Sequence, residues 1–298
     1  MAEQQRPSPT LAVLMAVYNG TNPTFFECAL HSIVTQTHQP DQIVIVFDGP
    51  VDPELDDIIT RIVPVYDHYK LTLLRYPQNM GLGYALCEGV KACVCDFIAR
   101  MDDDDISVPN RLEQQINLLK KHQNVDVLGG QIIEFTSNKR LSMRIAPLQD
   151  EAIKRGMTTK NRVNHVTVCI RRTAVLNVGN YDHKIKAGFE DYELWRRMIA
   201  HHCQFLNSEE PLVLVRFDRS QLSRRVGIDY LFEEWKIHYQ FWKAGYNSVG
   251  VFGVAMLTRL PIRILPTPVL AIIYGAILRS SLPDKHRKLC DELLKDTV

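Results

Sequence analysis

Four consecutive carboxylates, Asp102, Asp103, Asp104 and Asp105, follow directly on an apolar run over 94–101. Two carboxylates ~4 Å apart repel by roughly 4 kcal/mol at an effective dielectric of about 20. A row of four therefore calls for positive charge nearby, and a divalent cation is the simplest source. Along an extended chain the side chains alternate, so Asp102 and Asp104 would project one way and Asp103 and Asp105 the other. Such an Asp-x-Asp pair at the carboxyl end of a buried strand lies where open α/β sheets bind ligands. Taken alone, the run also suits a solvated acidic turn leading into a helix. Arg100, beside it, is a structural counter-ion or a phosphate contact. A second acidic pair, Glu190-Asp191, opens a helix over 192–201, where carboxylates also suit the helix dipole.

Four apolar runs would position these groups. Residues 11–17 read as a strand buried on both faces, as in a parallel sheet, ending at the turn Tyr18-Asn19-Gly20. Asn22-Pro23 opens a helix with Phe26, Ala29, Leu30, Ile33 and Val34 on one face. A second strand over 42–47 ends in Asp48-Gly49-Pro50. A helix over 53–69, a strand over 71–75, a helix from about Ala85 to Cys93 and the strand 94–101 follow. This alternation predicts a parallel, doubly wound sheet with right-handed crossovers. Gly81-x-Gly83 is not a dinucleotide fingerprint, because a loop precedes it and Leu86 holds the third glycine position.

Past the aspartates, Ser107 caps a helix with Pro109 in its first turn, and Asp105 steers the chain into it. Strands are expected over 127–135, 140–145, 164–171 (carrying His165) and 212–217, with a short helix ending at Gly179. Residues 227–244 form a helix rich in aromatic residues, including Trp235 and Trp242, read as packing. The tail over 249–282 holds two proline-broken apolar segments with basic edges at Arg259, Arg263 and Arg279. That pattern fits in-plane attachment to a membrane surface; a helical cap or an oligomer contact are the other readings. No unbroken stretch reaches the 18 or more apolar residues of a transmembrane helix, and the N-terminus lacks a signal-peptide core. A net charge of +1 over 298 residues gives no basis for bulk nucleic-acid binding, and seven scattered cysteines without metal-ligand spacing suit a reducing cytosol.

Seven segments in order and register from residue 11 to about 217 resemble the family 2 glycosyltransferases. They are Met15-Ala16-Val17-Tyr18-Asn19-Gly20, Val46-Phe47-Asp48-Gly49-Pro50, Asn79-Met80-Gly81-Leu82-Gly83, Ile98-Ala99-Arg100-Met101-Asp102-Asp103-Asp104-Asp105, Pro109-x-Arg111-Leu112-Glu113-x-Gln115, Asn164-His165-Val166-Thr167-Val168 and Glu190-Asp191-Tyr192-Glu193-Leu194-Trp195. The nearest likeness is to bacterial exopolysaccharide and O-antigen enzymes of the amylovoran-biosynthesis type. The resemblance implies a GT-A fold, an α/β, Rossmann-like, mostly parallel sheet with flanking helices, here with a C-terminal helical, membrane-associating tail. It divides the chain into a disordered 1–10, a catalytic 11–225 (nucleotide half 11–105, acceptor half 106–225) and a tail 226–298.

The resemblance also implies a nucleotide-sugar site formed by Ala16, Tyr18, Asn19, Asp48, Asn79, Gly81, Asp102, Asp103, Asp104 and Glu190. Tyr18 and Asp48 would line the base pocket, Asp102 would touch ribose or diphosphate, and Asp104 with Asp102 would hold Mn2+ or Mg2+. Asp103, at a place where relatives vary, is expected to be dispensable. Asp191 would be the general base, and His165, Trp195 and Arg224 would reach the acceptor or the diphosphate, with Gln221 and Arg225 beside Arg224. One departure is Phe47, where many members carry a further acid; another is Val166, where relatives often have proline. The chemistry suits a departing nucleoside diphosphate whose charge a cation stabilises, while a carboxylate takes the acceptor proton. The implied substrates are a UDP-sugar and a polyprenyl-diphosphate-linked glycan, met by a peripheral protein on the cytoplasmic face of the inner membrane through 249–282. A nucleotidyltransferase or a non-catalytic nucleotide-binding scaffold are the rival classes.

Overall fold

The structure, a computed structural model, describes residues 8–63, 69–137, 141–185, 188–217, 227–264 and 282–295. Strands β1 (Leu11–Tyr18), β2 (Gln42–Asp48), β3 (Lys70–Arg75) and β4 (Phe97–Met101) pair in parallel in the order β3-β2-β1-β4. They are joined by α1 (Pro23–Val34), α2 (Glu54–Ile62) and α3 (Leu82–Ala92). The continuous apolar runs are explained by burial on both faces. Val13, Met15, Ile43 and Ile45 pack with Phe26, Leu30 and Ile58 on one side. Their neighbours Leu14, Val44 and Val46 pack with Leu86, Val90 and Trp195 on the other. Asn22 caps α1 by accepting the Phe25 N–H at 3.1 Å, which fixes where the chain turns after β1.

The second half is mixed rather than parallel. After β5 (Ile106–Ser107) come α4 (Arg111–Lys121), β6 (Val127–Phe135), β7 (Leu141–Arg144), α5 (Asp150–Met157), β8 (Cys169–Arg171), α6 (Arg172–Asn177), α7 (Glu190–Ala200) and β9 (Phe205–Arg216). Strand β8 runs antiparallel between β4 and β6, β9 runs parallel to β6, β5 pairs antiparallel with β9, and β7 pairs antiparallel with β6. Ser107 does not cap a helix. It lies in β5, buried, with its N–H on Ser32 Oγ at 3.0 Å, and the helix begins three residues beyond Val108. The strand expected over 164–171 is instead a 3-10 turn, His165–Thr167, followed by the three residues of β8.

Of the tail, α8 (Ile228–Lys243), α9 (Val249–Ile264) and α10 (Asp284–Leu293) are described; 265–281 lie outside the described residues. Phe241 and His238 of α8 are buried against Tyr192 of α7. Trp235 and Trp242 are exposed, contrary to the packing role expected of them. Helix α9 continues through Pro261, since a proline removes one helical hydrogen bond and bends the axis without forbidding the helix. Cys290 and Leu294 pack α10 onto Ile106, Phe135 and Leu214 as a cap on the domain. Among the described residues no helix is long and apolar enough to cross a membrane. At the other end, Thr10 makes two hydrogen bonds to Asp96, at 2.9 and 2.8 Å; residues 1–7 lie outside the described part.

Candidate active site

The register of the parallel half sets the first groups side by side. Tyr18 lies opposite Asp48 across β1 and β2, and Met15 opposite Met101 across β1 and β4. The acidic run therefore leaves β4 at the level of Ala16. Asp48 is buried, and its two oxygens accept the Met80 and Gly81 N–H groups at 2.7 and 2.8 Å. Its charge thus holds the loop carrying Asn79 against the end of β2. Gly49 makes this closeness possible: at φ +89° a Cβ there would meet the Asn79 nitrogen at 2.6 Å. Tyr18 and Ala16 are half-buried at this edge, while Asn19 and Asn79 are exposed. Phe47 points to the opposite face, into the core under α1 and α2, with the Arg75 guanidinium 3.9 Å above its ring.

Strand β4 stops at Met101, so the alternation expected of the four aspartates does not continue through them, and each takes a different environment. Asp102 is gripped by both terminal nitrogens of Arg100. Asp103 accepts the Thr21 hydroxyl, which in turn accepts the Tyr18 N–H at 3.0 Å. Asp103 therefore ties the loop after β1 to the acidic run. Asp105 is buried and accepts the Arg216 N–H of β9 at 2.8 Å, which replaces the helix-steering role expected of it. The Asp104 carboxylate accepts no hydrogen bond from any described residue. Burial, then Asp102 and Asp103, push its pKa up to about 7.

Arg100 is the hub. Its side chain is 6% exposed, and its backbone carbonyl accepts from Arg111 Nη2 at 2.7 Å. Arg111 is itself fully buried and bonded to Gln115, which holds the Thr167 carbonyl at 2.7 Å. Burial raises the pKa of Asp103, Asp104, Asp105, Glu190 and Asp191, and the Arg100 charge opposes that rise in each. Among these carboxylates Arg100 bonds to Asp102, and its charge also acts on the second acidic stretch, Glu190 and Asp191.

Glu190 and Asp191 form the first turn of α7. Burial followed by the Asp191 charge raises Glu190 to about 7. Burial also raises Asp191, opposed by hydrogen bonds from the Tyr192 N–H at 2.6 Å and Asn161 Nδ2 at 2.8 Å. His165 Nε2 shares a hydrogen bond of 2.8 Å with the Tyr181 hydroxyl. Burial, then the Arg100 charge, hold its imidazole well below its ordinary range. Trp195 is wholly buried, its ring edge-on to His165 at 6.0 Å. It supports His165 from within the core. Arg224, Gln221 and Arg225 lie outside the described residues.

Thr21, Asn161 and Tyr181 went unnoticed in the sequence. Each is a single polar residue in a loop, and its partner is 82, 30 or 16 positions away. No local spacing marks such residues; only the fold does.

The sequence model of Glycosyl transferase family 2 matches residues 12–182. The chain belongs to that family. As a family 2 glycosyltransferase it is 34% identical over 279 residues to the UDP-Gal:alpha-D-GlcNAc-diphosphoundecaprenol beta-1,3-galactosyltransferase of Escherichia coli, covering 92% of this chain and 98% of that one. It is 31% identical over 265 residues to the amylovoran biosynthesis glycosyltransferase AmsE of Erwinia amylovora, covering 88% and 97%. In fold it is similar to the mannosyltransferase PcManGT of Pyrobaculum calidifontis, solved with GDP-Man and Mn2+, at a TM-score of 0.58 and 13% identity, covering 96% and 84%. The curled mixed sheet with flanking helices is of the GT-A kind, and glycosyltransferases of this kind commonly use a divalent metal.

Proposed function

We propose that this glycosyltransferase is metal-dependent and inverting, and moves a sugar from a UDP-sugar to a hydroxyl of a polyprenyl-diphosphate-linked glycan in surface polysaccharide synthesis. The observations that carry this are the Asp104 carboxylate, without a hydrogen-bond donor among the described residues and next to the Arg100-paired Asp102, and Asp191, pinned at both oxygens at the start of α7. The donor set fits a hard divalent cation. No three His, Cys, Asp or Glu side chains converge among the described residues, but Mg2+-like ions bind through one or two carboxylates and complete their shell with substrate phosphates and water. Asp104 would be the principal ligand, with Asp102, already paired to Arg100, beside it. When bound, the cation supplies charge stabilisation to the departing diphosphate.

The chain's own residues do the rest. Tyr18, with the loop that Asp48 holds, receives the nucleoside. Asp102, oriented by Arg100, faces ribose or diphosphate. Asp191 accepts the acceptor's hydroxyl proton as that oxygen bonds to the anomeric carbon, while the bond from that carbon to the diphosphate breaks on the opposite side and its electron pair leaves with UDP. One base and no second nucleophile give inversion. The E. coli relative's printed substrates supply the UDP-sugar and lipid-linked acceptor classes.

On this reading residues 11–225 are the catalytic unit and the tail attaches it to the cytoplasmic face of the inner membrane. An aromatic row, exposed at Phe232, Trp235 and Trp242 and half-buried at Tyr239 and Phe252, supports the attachment. Phe232, Trp235, Tyr239 and Trp242 of α8 follow one another at ring spacings of 5.9, 5.3 and 5.6 Å, and Trp242 meets Phe252 of α9 at 6.1 Å. Such rings favour the bilayer interface. A panel of nucleotide sugars against a polyprenyl-diphosphate glycan, with the product anomer read by NMR, tests the assignment. Inverting, chelator-sensitive transfer from a UDP-sugar is expected; retained configuration, or no transfer from any UDP-sugar, overturns it.

A further inference from the structure

We propose that Asn161 is a positioning residue for Asp191, its amide fixing the carboxylate in the orientation that receives the acceptor proton. The inference rests on Asp191 being the base. Asn161 lies in the loop over 158–164 between α5 and the turn His165–Thr167. Its Oδ1 accepts the Val163 N–H at 3.1 Å, and its Nδ2 donates to Asp191 Oδ2 at 2.8 Å. A rotated amide would set a carbonyl oxygen against a carboxylate oxygen and abandon the Val163 N–H, so one orientation alone satisfies both ends. Asp191 Oδ1 accepts the Tyr192 N–H at 2.6 Å. Two of the carboxylate's roughly four acceptor sites are thereby used to aim it, and the remainder stay available for a proton. Both donors are neutral, so they steady the ionised form without a salt bridge that would suppress its basicity more strongly.

The loop that presents Asn161, together with the last residue of α5 leading into it, is anchored from four elements. The Tyr192 hydroxyl of α7 donates to the Met157 carbonyl. His238 Nδ1 of α8 lies 3.2 Å from the Thr158 carbonyl. Asn207 Nδ2 of β9 donates to the Arg162 carbonyl at 3.2 Å, and Asn164 Nδ2 donates to the Gly130 carbonyl of β6 at 2.8 Å. A lone polar residue on a wandering loop would not hold a base; this one is fixed to the same first turn of α7 that carries Asp191.

The test compares Asn161→Ala, Asn161→Asp and Asp191→Asn in the full chain. It reads kcat, donor KM, UDP affinity with Mn2+ by calorimetry, and the thermal midpoint. Asn161→Ala should lower kcat by about 10- to 100-fold, the scale of a misaimed reacting group, with donor KM and UDP affinity within about twofold of the parent, since uniform binding is untouched. Asn161→Asp keeps the side-chain shape, and so carries the test if the alanine variant fails to fold; it sets like charge against Asp191 and should lose at least as much kcat. Unchanged kcat in both Asn161 variants with an inactive Asp191→Asn overturns the positioning role. So does a loss of kcat matched by equal losses of UDP affinity and thermal midpoint, which marks a merely structural residue. Full turnover by Asp191→Asn instead overturns the base assignment, a result distinct from either.

Discussion

Arg100→Met removes the cation around which the acidic groups are arranged, and its effect follows from burial. The Arg100 side chain is 6% exposed and that of Asp102 33% exposed. Removing one partner of a buried ion pair costs about 3–5 kcal/mol because the other charge stays behind. Water reaches part of Asp102, which lowers that figure, whereas Asp103, Asp104 and Asp105 lose the same screening charge, which raises it. The expected loss is about 3 kcal/mol at pH 8, a fall in thermal midpoint of roughly 6–12 °C for a chain of this size. The pH dependence carries the signature. The folded-state pKa values of these acids already lie above their ordinary range, and without Arg100 they rise further. A group whose folded pKa is raised stabilises fully below its unfolded pKa and loses that contribution as pH rises through the folded value. The deficit of Arg100→Met should therefore be small near pH 4.5 and grow toward pH 8. Denaturant unfolding without divalent ions, followed by circular dichroism at both pH values, measures it. A second substitution, Arg100→Met with Asp102→Asn, should recover at least about 1 kcal/mol through coupling. A deficit below about 1 kcal/mol at pH 8, or one equal at both pH values, refutes the hub role of Arg100.

Glu190→Gln removes a carboxyl whose pKa stands at about 7. Its stabilising contribution is complete below about 4.3, the ordinary glutamate value, and is lost as pH rises through 7. The variant should then melt with a flatter pH dependence over that interval, and an unchanged slope in thermal melts contradicts the shift. Asp48→Asn leaves an amide that accepts only one of the Met80 and Gly81 N–H groups; about 1–3 kcal/mol of stability should go, with donor KM raised more than kcat is lowered in steady-state assays. Phe47→Ala empties a core position beneath Arg75 and should cost about 3–5 kcal/mol in denaturant titration, with nucleotide preference unaltered.

Much of the nucleotide half was legible because its strands are buried on both faces and so read as unbroken apolar runs, and because Asn22 and Pro23 mark the start of α1 unambiguously. The acidic run was legible as a ligand edge, but its division of labour was not. Arg100 stands beside the run in sequence, but Thr21 of the loop after β1 and Arg216 of β9 are 82 and 111 positions from their partners, and only the fold brings them there. The acceptor half hid its structure for local reasons. Thr167 Oγ1 bonds the Asn164 carbonyl at 2.7 Å and turns what looked like a strand into a 3-10 turn. Strands β5 and β8 are too short to show a period, and Glu209-Glu210-Pro211 interrupts the apolar pattern of β9 where β9 itself bulges against β6. Charged residues dominate α10, whose few apolar positions meet the core only after the chain has crossed the domain. Trp195 shares a motif with Asp191 and follows it by one helical turn, and its ring is wholly buried.

Asp104→Asn and Asp191→Asn, compared for Mn2+-dependent UDP binding and for sugar transfer to a polyprenyl-diphosphate glycan, test the central assignment most directly. Both should lose transfer by about a thousandfold, within the roughly 10²–10⁴-fold span of a single acid–base contribution for Asp191→Asn and on the scale of lost charge stabilisation for Asp104→Asn. Only Asp104→Asn should lose Mn2+-dependent UDP affinity, while Asp191→Asn binds UDP as the parent does. Transfer at the parental rate by Asp191→Asn, or parental Mn2+-dependent UDP affinity in Asp104→Asn, would contradict the division of roles between the two carboxylates.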